Sequence, residues 1–151
     1  MPTTLEEIKA KQAELVAMIA KLEKKPRRRL HFPEMALELK EGEMWAGVIV
    51  DTEYPANSYH LILLPDEADS VNWESAKSFA SKVGGELPSR REQSLLFANL
   101  KDQFQGSYYW SSEQHAGYRG FAWCQTFGSG YQLYNEKFSC LRARAVRRQP
   151  F

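Results

Sequence analysis

The residues best suited to chemistry in this chain lie close together near its end. Tyr118, Tyr131 and Tyr134 stand in or beside glycine-containing turns, in the company of His115, Arg119, Ser129 and Asn135. Tyrosine supplies rigid amphipathic contact area, and Ser, Asn, Gly and Arg supply adaptable hydrogen bonds. That mixture suits recognition of a protein or polysaccharide ligand. Reaction chemistry has less to work with. His31, His60 and His115 fall in separate segments, and there is no Gly-x-Ser-x-Gly elbow and no His-x-x-x-His pair. Glu41 and Glu43 read as solvated loop carboxylates. Cys124 and Cys140 are too few for a disulfide scaffold and lack zinc spacing, so they read as two free small apolar residues or one cross-strand disulfide. No catalytic residue, metal ligand or cofactor is expected.

Strands must position the tyrosines. Residues 108–112, 121–127, 131–134 and 140–148 read as β, with Gly128-Ser129-Gly130 as a turn. Within 121–127, odd residues share one face and even residues the other. Trp123 and Phe127 are expected to face the core, which puts Cys124 and Thr126 on the display side. In 140–148, Leu141, Ala143 and Ala145 alternate with Arg142 and Arg144, and Arg147 and Arg148 follow. The four arginines are expected along one exposed or half-exposed edge. Upstream, 45–50 and 59–64 read as a hairpin stopped by Pro65-Asp66. A helix follows, capped by Asp69-Ser70 or Asn72, with Trp73, Ala76, Phe79, Ala80 and Val83 at helical spacing and Gly84-Gly85 at its end. Ser89 and Glu92 form a capping box for a second helix carrying Leu95, Leu96 and Leu100 to about Phe104. The expected fold is α+β, a mostly antiparallel sheet with segregated helices.

Residues 3–25 contain no Gly or Pro and are rich in helix formers. Leu5, Ile8, Gln12, Leu15, Ile19 and Leu22 follow a 3-4-3-4-3 spacing, an a/d heptad seam with Gln12 at an a position. A lone helix of this length is marginal in water, so the seam should pack on something. It can fold back on its own domain or, the favoured reading, self-associate as a parallel coiled coil, with a trimer as the expected number. Pro26 should end the helix. Lys24-Lys25-Pro26-Arg27-Arg28-Arg29 is either a solvated linker or a contact for nucleic acid. The expected organisation is an oligomerisation helix over 1–25, a basic linker over 26–43 and one domain over 44–151.

The 151 residues carry 20 basic and 19 acidic side chains, a net charge of +1, with 43% hydrophobic and 26% charged residues. These proportions exclude a disordered chain. No apolar run is long enough to span a membrane, and the N-terminus lacks signal-peptide character, so the host cytoplasm or a virion is the expected location. The small net charge hides segregation. Residues 1–29 hold eight basic and four acidic residues, and residues 30–151 hold twelve and fifteen. Ten of the nineteen aromatic residues fall within 108–138.

The run from Asn72-Trp73-Glu74-Ser75-Ala76 through Gly84-Gly85-Glu86-Leu87-Pro88-Ser89-Arg90-Arg91-Glu92 resembles the helix pair of the C-type-lectin-like fold. Tyr109-Trp110-Ser111-Ser112, Ala122-Trp123 with Phe127 and Gly130, and the segment from Arg142 to Arg148 are similar to the Lcl C-terminal-domain group of that superfamily, near formylglycine-generating enzymes and the variable receptor-binding proteins of phages and retroelements. The resemblance covers roughly residues 44–148 and implies binding by the last strands and their loops. It leaves specific chemistries open to comparison. The Glu-Pro-Asn and Trp-Asn-Asp tripeptides of calcium-dependent sugar sites are missing, and 105–148 holds only Glu113 and Glu136 as acids. The cysteine pair of the oxidase relatives has a counterpart only in Cys124 and Cys140, without the long substrate-binding insertions. The expected function is therefore a non-enzymatic, homo-oligomeric binding protein of phage or prophage type. The alternatives are an intracellular inhibitor of a host defence protein or nucleoprotein, and nucleic-acid binding through the basic segments.

Overall fold

A computed structural model of the chain describes residues 4–24, 27, 29, 31 and 34–151. It divides into two units, Met1–His31 and Phe32–Phe151. In the first, helix α1 spans Leu5–Glu23. Thr4 starts it with a capping box: its hydroxyl accepts from the Glu7 amide at 3.3 Å, and the Glu7 carboxylate accepts from the Thr4 amide at 3.2 Å. Glu6 and Glu7 in the first turn and Lys21 in the last suit the helix dipole. No residue of α1 is buried. Leu5, Ile8, Leu15, Ile19 and Leu22 of the seam are all half or more exposed, and so are Val16 and Met18. Pro26, the expected terminator, and Lys25 and Arg28 of the basic run lie outside the described residues.

The second unit is α+β. Its strands are β1 (Met44–Ile49), β2 (Tyr59–Val71), β3 (Tyr108–Gln114), β4 (Phe121–Thr126), β5 (Gln132–Glu136) and β6 (Leu141–Pro150), and its helices are α2 (Trp73–Lys82) and α3 (Arg90–Leu100). The strands form one sheet in the order β1-β2-β6-β3-β4-β5, antiparallel at every junction except β3–β6. Asn72 caps α2 by accepting from the Ser75 amide at 2.9 Å, and Ser89 with Glu92 caps α3 as the capping box requires. β2 runs through Pro65 instead of stopping there. Its register against β6 shifts between Leu63 and Glu67. A proline is tolerated in that irregularity because no ladder bond is demanded of its missing N–H.

Both faces of the sheet are covered. On one, Trp73, Ala76 and Ala80 of α2 pack with Leu64, Trp110, Ala122, Cys124, Ala143 and Ala145. On the other, Leu96 of α3 packs with Leu61, Leu63, Tyr109, Phe127 and Val146. Neighbouring residues Tyr109 and Trp110 thus enter different cores, as strand alternation dictates. The segment expected as a linker is tied to this unit at Glu38 and Glu43. Arg147 donates to the Glu43 carboxylate at 2.6 Å and to the Glu38 carbonyl at 3.0 Å. Where α2 ends, Glu86 and Val146 exchange backbone hydrogen bonds of 2.9 and 2.8 Å. This draws Gly85 so close that an added Cβ would lie 2.4 Å from the Val146 carbonyl oxygen. Gly85→Ala should therefore destabilise the unit by about 1–3 kcal/mol, since the obstacle is backbone that cannot rotate away. A shift in the urea midpoint would measure it, and an unchanged midpoint would contradict it.

Candidate functional site

Antiparallel pairing of β4 with β5 sets Trp123 opposite Tyr134 and Phe121 opposite Glu136. Directly opposed residues share a face, so these rings stand together. The β3–β4 loop adds two more. His115 stacks on Trp123 with centroids 5.3 Å apart, meets Tyr134 edge-on at 4.4 Å and lies 5.0 Å from Tyr118. Tyr134 also meets Trp123 at 82° and Phe121 at 83°. The loop conformation is local: the Gly117 and Tyr118 amides donate to His115 Nδ1 at 3.0 and 3.1 Å. The result is a five-ring cluster at the outer end of the sheet, with Tyr118 and Tyr134 among its exposed members.

Arg90, the first residue of α3, completes the cluster. Its guanidinium carbon lies 3.5 Å from the Trp123 ring centroid, a close cation–π contact. Its Nε donates to Gln132 Oε1 at 3.1 Å, and Gln132 in turn donates to the Arg90 carbonyl at 2.6 Å and to Gln125 Oε1 at 2.9 Å. Among the described residues, the terminal nitrogens of Arg90 meet no hydrogen-bond or ion-pair partner.

The expected site residues divide. His115, Tyr118 and Tyr134 come together. Arg119 is exposed on the same loop and outside the ring cluster. Thr126, Ser129 and Tyr131 belong to the β4–β5 turn, where the Thr126 hydroxyl accepts from the Gly128 amide and the Thr126 amide donates to the Tyr131 carbonyl. Thr126 is three residues from Trp123, about 10 Å along the strand. Asn135 pairs with Ala122 and so faces away from Tyr134. Its Oδ1 accepts from the Glu136 amide and the Ser139 hydroxyl, closing the β5–β6 turn. The expected facing of β4 fails for its even residues: Ala122 and Cys124 are in the α2 core and not on a display side, while Trp123 is half-buried on the α3 side beside the buried Gln125. Phe127 does turn inward, onto Phe104 and Tyr109, just past the end of the strand. Trp123, Phe121, Arg90 and Gln132 were not expected in the site. The small, apolar Cys124 was the available signal for the true facing, because cysteine is among the most buried residue types.

The terminal arginines do not form a free edge. Arg142 pairs with Glu67 and Asp69 at 3.1 and 2.9 Å. Arg144 is buried and donates to the Gln103 and Leu64 carbonyls. Arg147 pairs with Glu43, and Arg148 with Glu86 and Glu92. Strand alternation sends Arg142, Arg144 and Arg148 to the α3 side and Arg147 to the other. Their charge is consumed inside the unit, which removes four cations from the nucleic-acid alternative.

Cys124 and Cys140 are free, the first buried and the second exposed. Burial pushes the Cys124 thiol up to about 12, so it holds its proton and is a poor nucleophile at neutral pH. Ellman's reagent should titrate one thiol of the two in the native chain and both in denaturant. Rapid native reaction of both would contradict this packing. Among the described residues, no group of three or more His, Cys, Asp or Glu side chains is placed to hold a metal ion, and no helix is long and apolar enough to cross a membrane. No protein-family model matches the chain, and no curated protein matches it.

Proposed function

We propose that this chain is a non-enzymatic, oligomeric binding protein of phage or prophage type, acting in the host cytoplasm or in the virion. It recognises its ligand through the ring cluster of His115, Tyr118, Phe121, Trp123 and Tyr134. The observation that carries this reading is the exposure of Tyr118 and Tyr134 on a rigid, mutually packed set of rings. Exposed tyrosines packed beside a tryptophan and an arginine are the usual anchors of protein interfaces. The finer fold reading, a C-type-lectin-like domain following a coiled-coil helix, draws support from the two capped helices that arise where the resembling motif lies, and from the capped but unburied α1. Self-association through Leu5, Ile8, Gln12, Leu15, Ile19 and Leu22 would cover that seam and multiply weak sites by avidity.

The test is capture from a host lysate by the wild-type chain and by a Tyr118→Ala/Tyr134→Ala variant, followed by mass spectrometry. The expected result is a ligand retained by the first and lost from the second, with both proteins melting alike. A ligand retained equally by both would remove the ring cluster from the function.

A further inference from the structure

Arg90 differs from the arginines of β6. Those reach carboxylates or carbonyls within the fold. Arg91, its neighbour, donates to the Val50 carbonyl. Arg90 instead sits over Trp123, with its guanidinium carbon 3.5 Å from the ring centroid, anchored at Nε by Gln132 and with no partner for its two terminal nitrogens among the described residues. A guanidinium in that state has lost much of its side-chain freedom and keeps its fork open. A planar fork matches a carboxylate with two parallel hydrogen bonds. The helix end itself is already occupied, because the Arg90 amide donates to Glu113 Oε2 at 2.6 Å. An incoming acid is thus steered to the side chain.

The rings beside the fork indicate what should carry that acid. A pyranose stacks best on an open flat face. Here the largest ring, Trp123, is already contacted by Arg90 and His115. Among the others, Tyr118 is tilted by 31° against His115 and 34° against Tyr134, and Phe121 meets Tyr118 at 62° and Tyr134 at 83°, so the rings form a broken surface of tilted faces, edges and hydroxyls in place of one flat shelf. Such a surface fits irregular apolar side chains better than a sugar ring. We propose that the site takes an acidic segment of a protein partner, in which an Asp or Glu carboxylate engages the Arg90 fork and an adjacent apolar side chain packs on Tyr118 and Tyr134. This rests on the ring cluster being the binding surface.

The test selects a displayed library of random peptides on the full chain, on Arg90→Gln and on the Tyr118→Ala/Tyr134→Ala variant in parallel. Wild type should enrich peptides carrying Asp or Glu beside a large apolar residue. A synthesised consensus peptide should bind Arg90→Gln roughly tenfold or more weakly, and amidating its acid should cause the same loss. Arg90→Lys, which keeps the charge and loses the fork, should fall between. Arg90 is only half-buried, so thermal melting of each variant checks that the fold survives. Enrichment of peptides without acids, or acid-dependent binding unchanged in Arg90→Gln, would overturn the proposal. Uronate-bearing oligosaccharides form a second arm. If they bind and peptides do not, with loss in the tyrosine variant, the acidic-segment proposal fails while the ring cluster remains the site. If no probe separates wild type from the tyrosine variant, both fail.

Discussion

Glu92→Ala should lower the stability of the second unit by about 3–5 kcal/mol, the usual cost of stranding the partner of a buried ion pair. The Glu92 side chain is fully buried on α3. Its two oxygens accept from Arg148 Nε at 2.6 Å and Nη2 at 2.8 Å, from the Tyr59 hydroxyl at 2.7 Å and from the Ser89 amide at 2.8 Å. One carboxylate thereby joins β2, α3 and β6. Removing it leaves the Tyr59 hydroxyl and the Ser89 amide without an acceptor and Arg148 with only the more exposed Glu86. Domains are stable by about 5–15 kcal/mol in total, so the loss is a large fraction and should appear as a fall of many degrees in Tm. Because the two side chains act as a unit, a Glu92→Ala/Arg148→Ala double variant should be far less destabilised than the sum of the single variants.

The same carboxylate gives a pH dependence of definite sign. Burial alone would raise the Glu92 carboxyl. The hydrogen bonds from Arg148, then from Ser89 and Tyr59, outweigh it and hold the group below the ordinary carboxylate range. The unfolded chain therefore binds a proton at a higher pH than the folded chain does. The contribution is complete above the unfolded value, about 4.3, and is lost as pH falls through the lower folded value. Urea midpoints from pH 7 down to pH 3 should decline more steeply for wild type than for Glu92→Gln. Equal slopes would mean that the carboxylate is not held in this way.

Local features of this fold were legible, and long-range ones were not. Ser89 acts within three residues of itself, so the start of α3 is legible directly, with Glu92 as the far half of a capping box, while the start of α2 narrows to Asp69-Ser70 or Asn72, of which Asn72 is the cap. The second role of Glu92 was hidden, because Arg148 is 56 residues away. Arg147 and Glu43 are separated by 104 residues. Alternation in β6 showed that the arginines share faces, but not that each face already held an acid or a carbonyl. The facing of β4 failed for a related reason. Strict alternation distinguishes inside from outside when one side of a sheet is wet, whereas β4 has the α2 core on one side and Gln93, Gln125 and Arg90 near α3 on the other. Trp123, the larger ring, reads as core and Cys124 as display, although the sheet has a core on each face and Cys124 is fully buried in one of them. The site was therefore legible through its tyrosines, while Trp123 and Arg90 required the β4–β5 register and the start of α3 to be placed together.

Placing acids in the seam of α1 should abolish the self-association proposed for it. In the heptad reading, Leu5, Gln12 and Ile19 occupy a, and Ile8, Leu15 and Leu22 occupy d. Val16 then falls at e and Met18 at g, so the apolar face widens in the second half of the helix, and every one of these apolar residues is half or more exposed. Two helices cover an a/d seam. Apolar e and g positions need further helices to cover them, which favours three copies or more over a dimer. Lys9 at e and Lys11 at g leave the first half without that extra apolar area and with Gln12 at its core position, a residue that sets register at a cost in stability. The second half should thus supply most of the association energy. Leu15→Asp/Ile19→Asp would put two charges from each chain into the apolar layers, a change no rearrangement of a short bundle can accommodate. Sedimentation equilibrium should show oligomers for wild type and monomers for the variant, and the second unit should melt as before. Binding to a multivalent ligand should fall by about 10²–10⁴, the range over which linkage of weak sites acts, with the affinity of each single site unchanged. Gln12→Ile should act in the opposite direction and tighten the assembly. A wild-type chain that sediments as a monomer at concentrations well above those of the binding assay would leave the seam without this role.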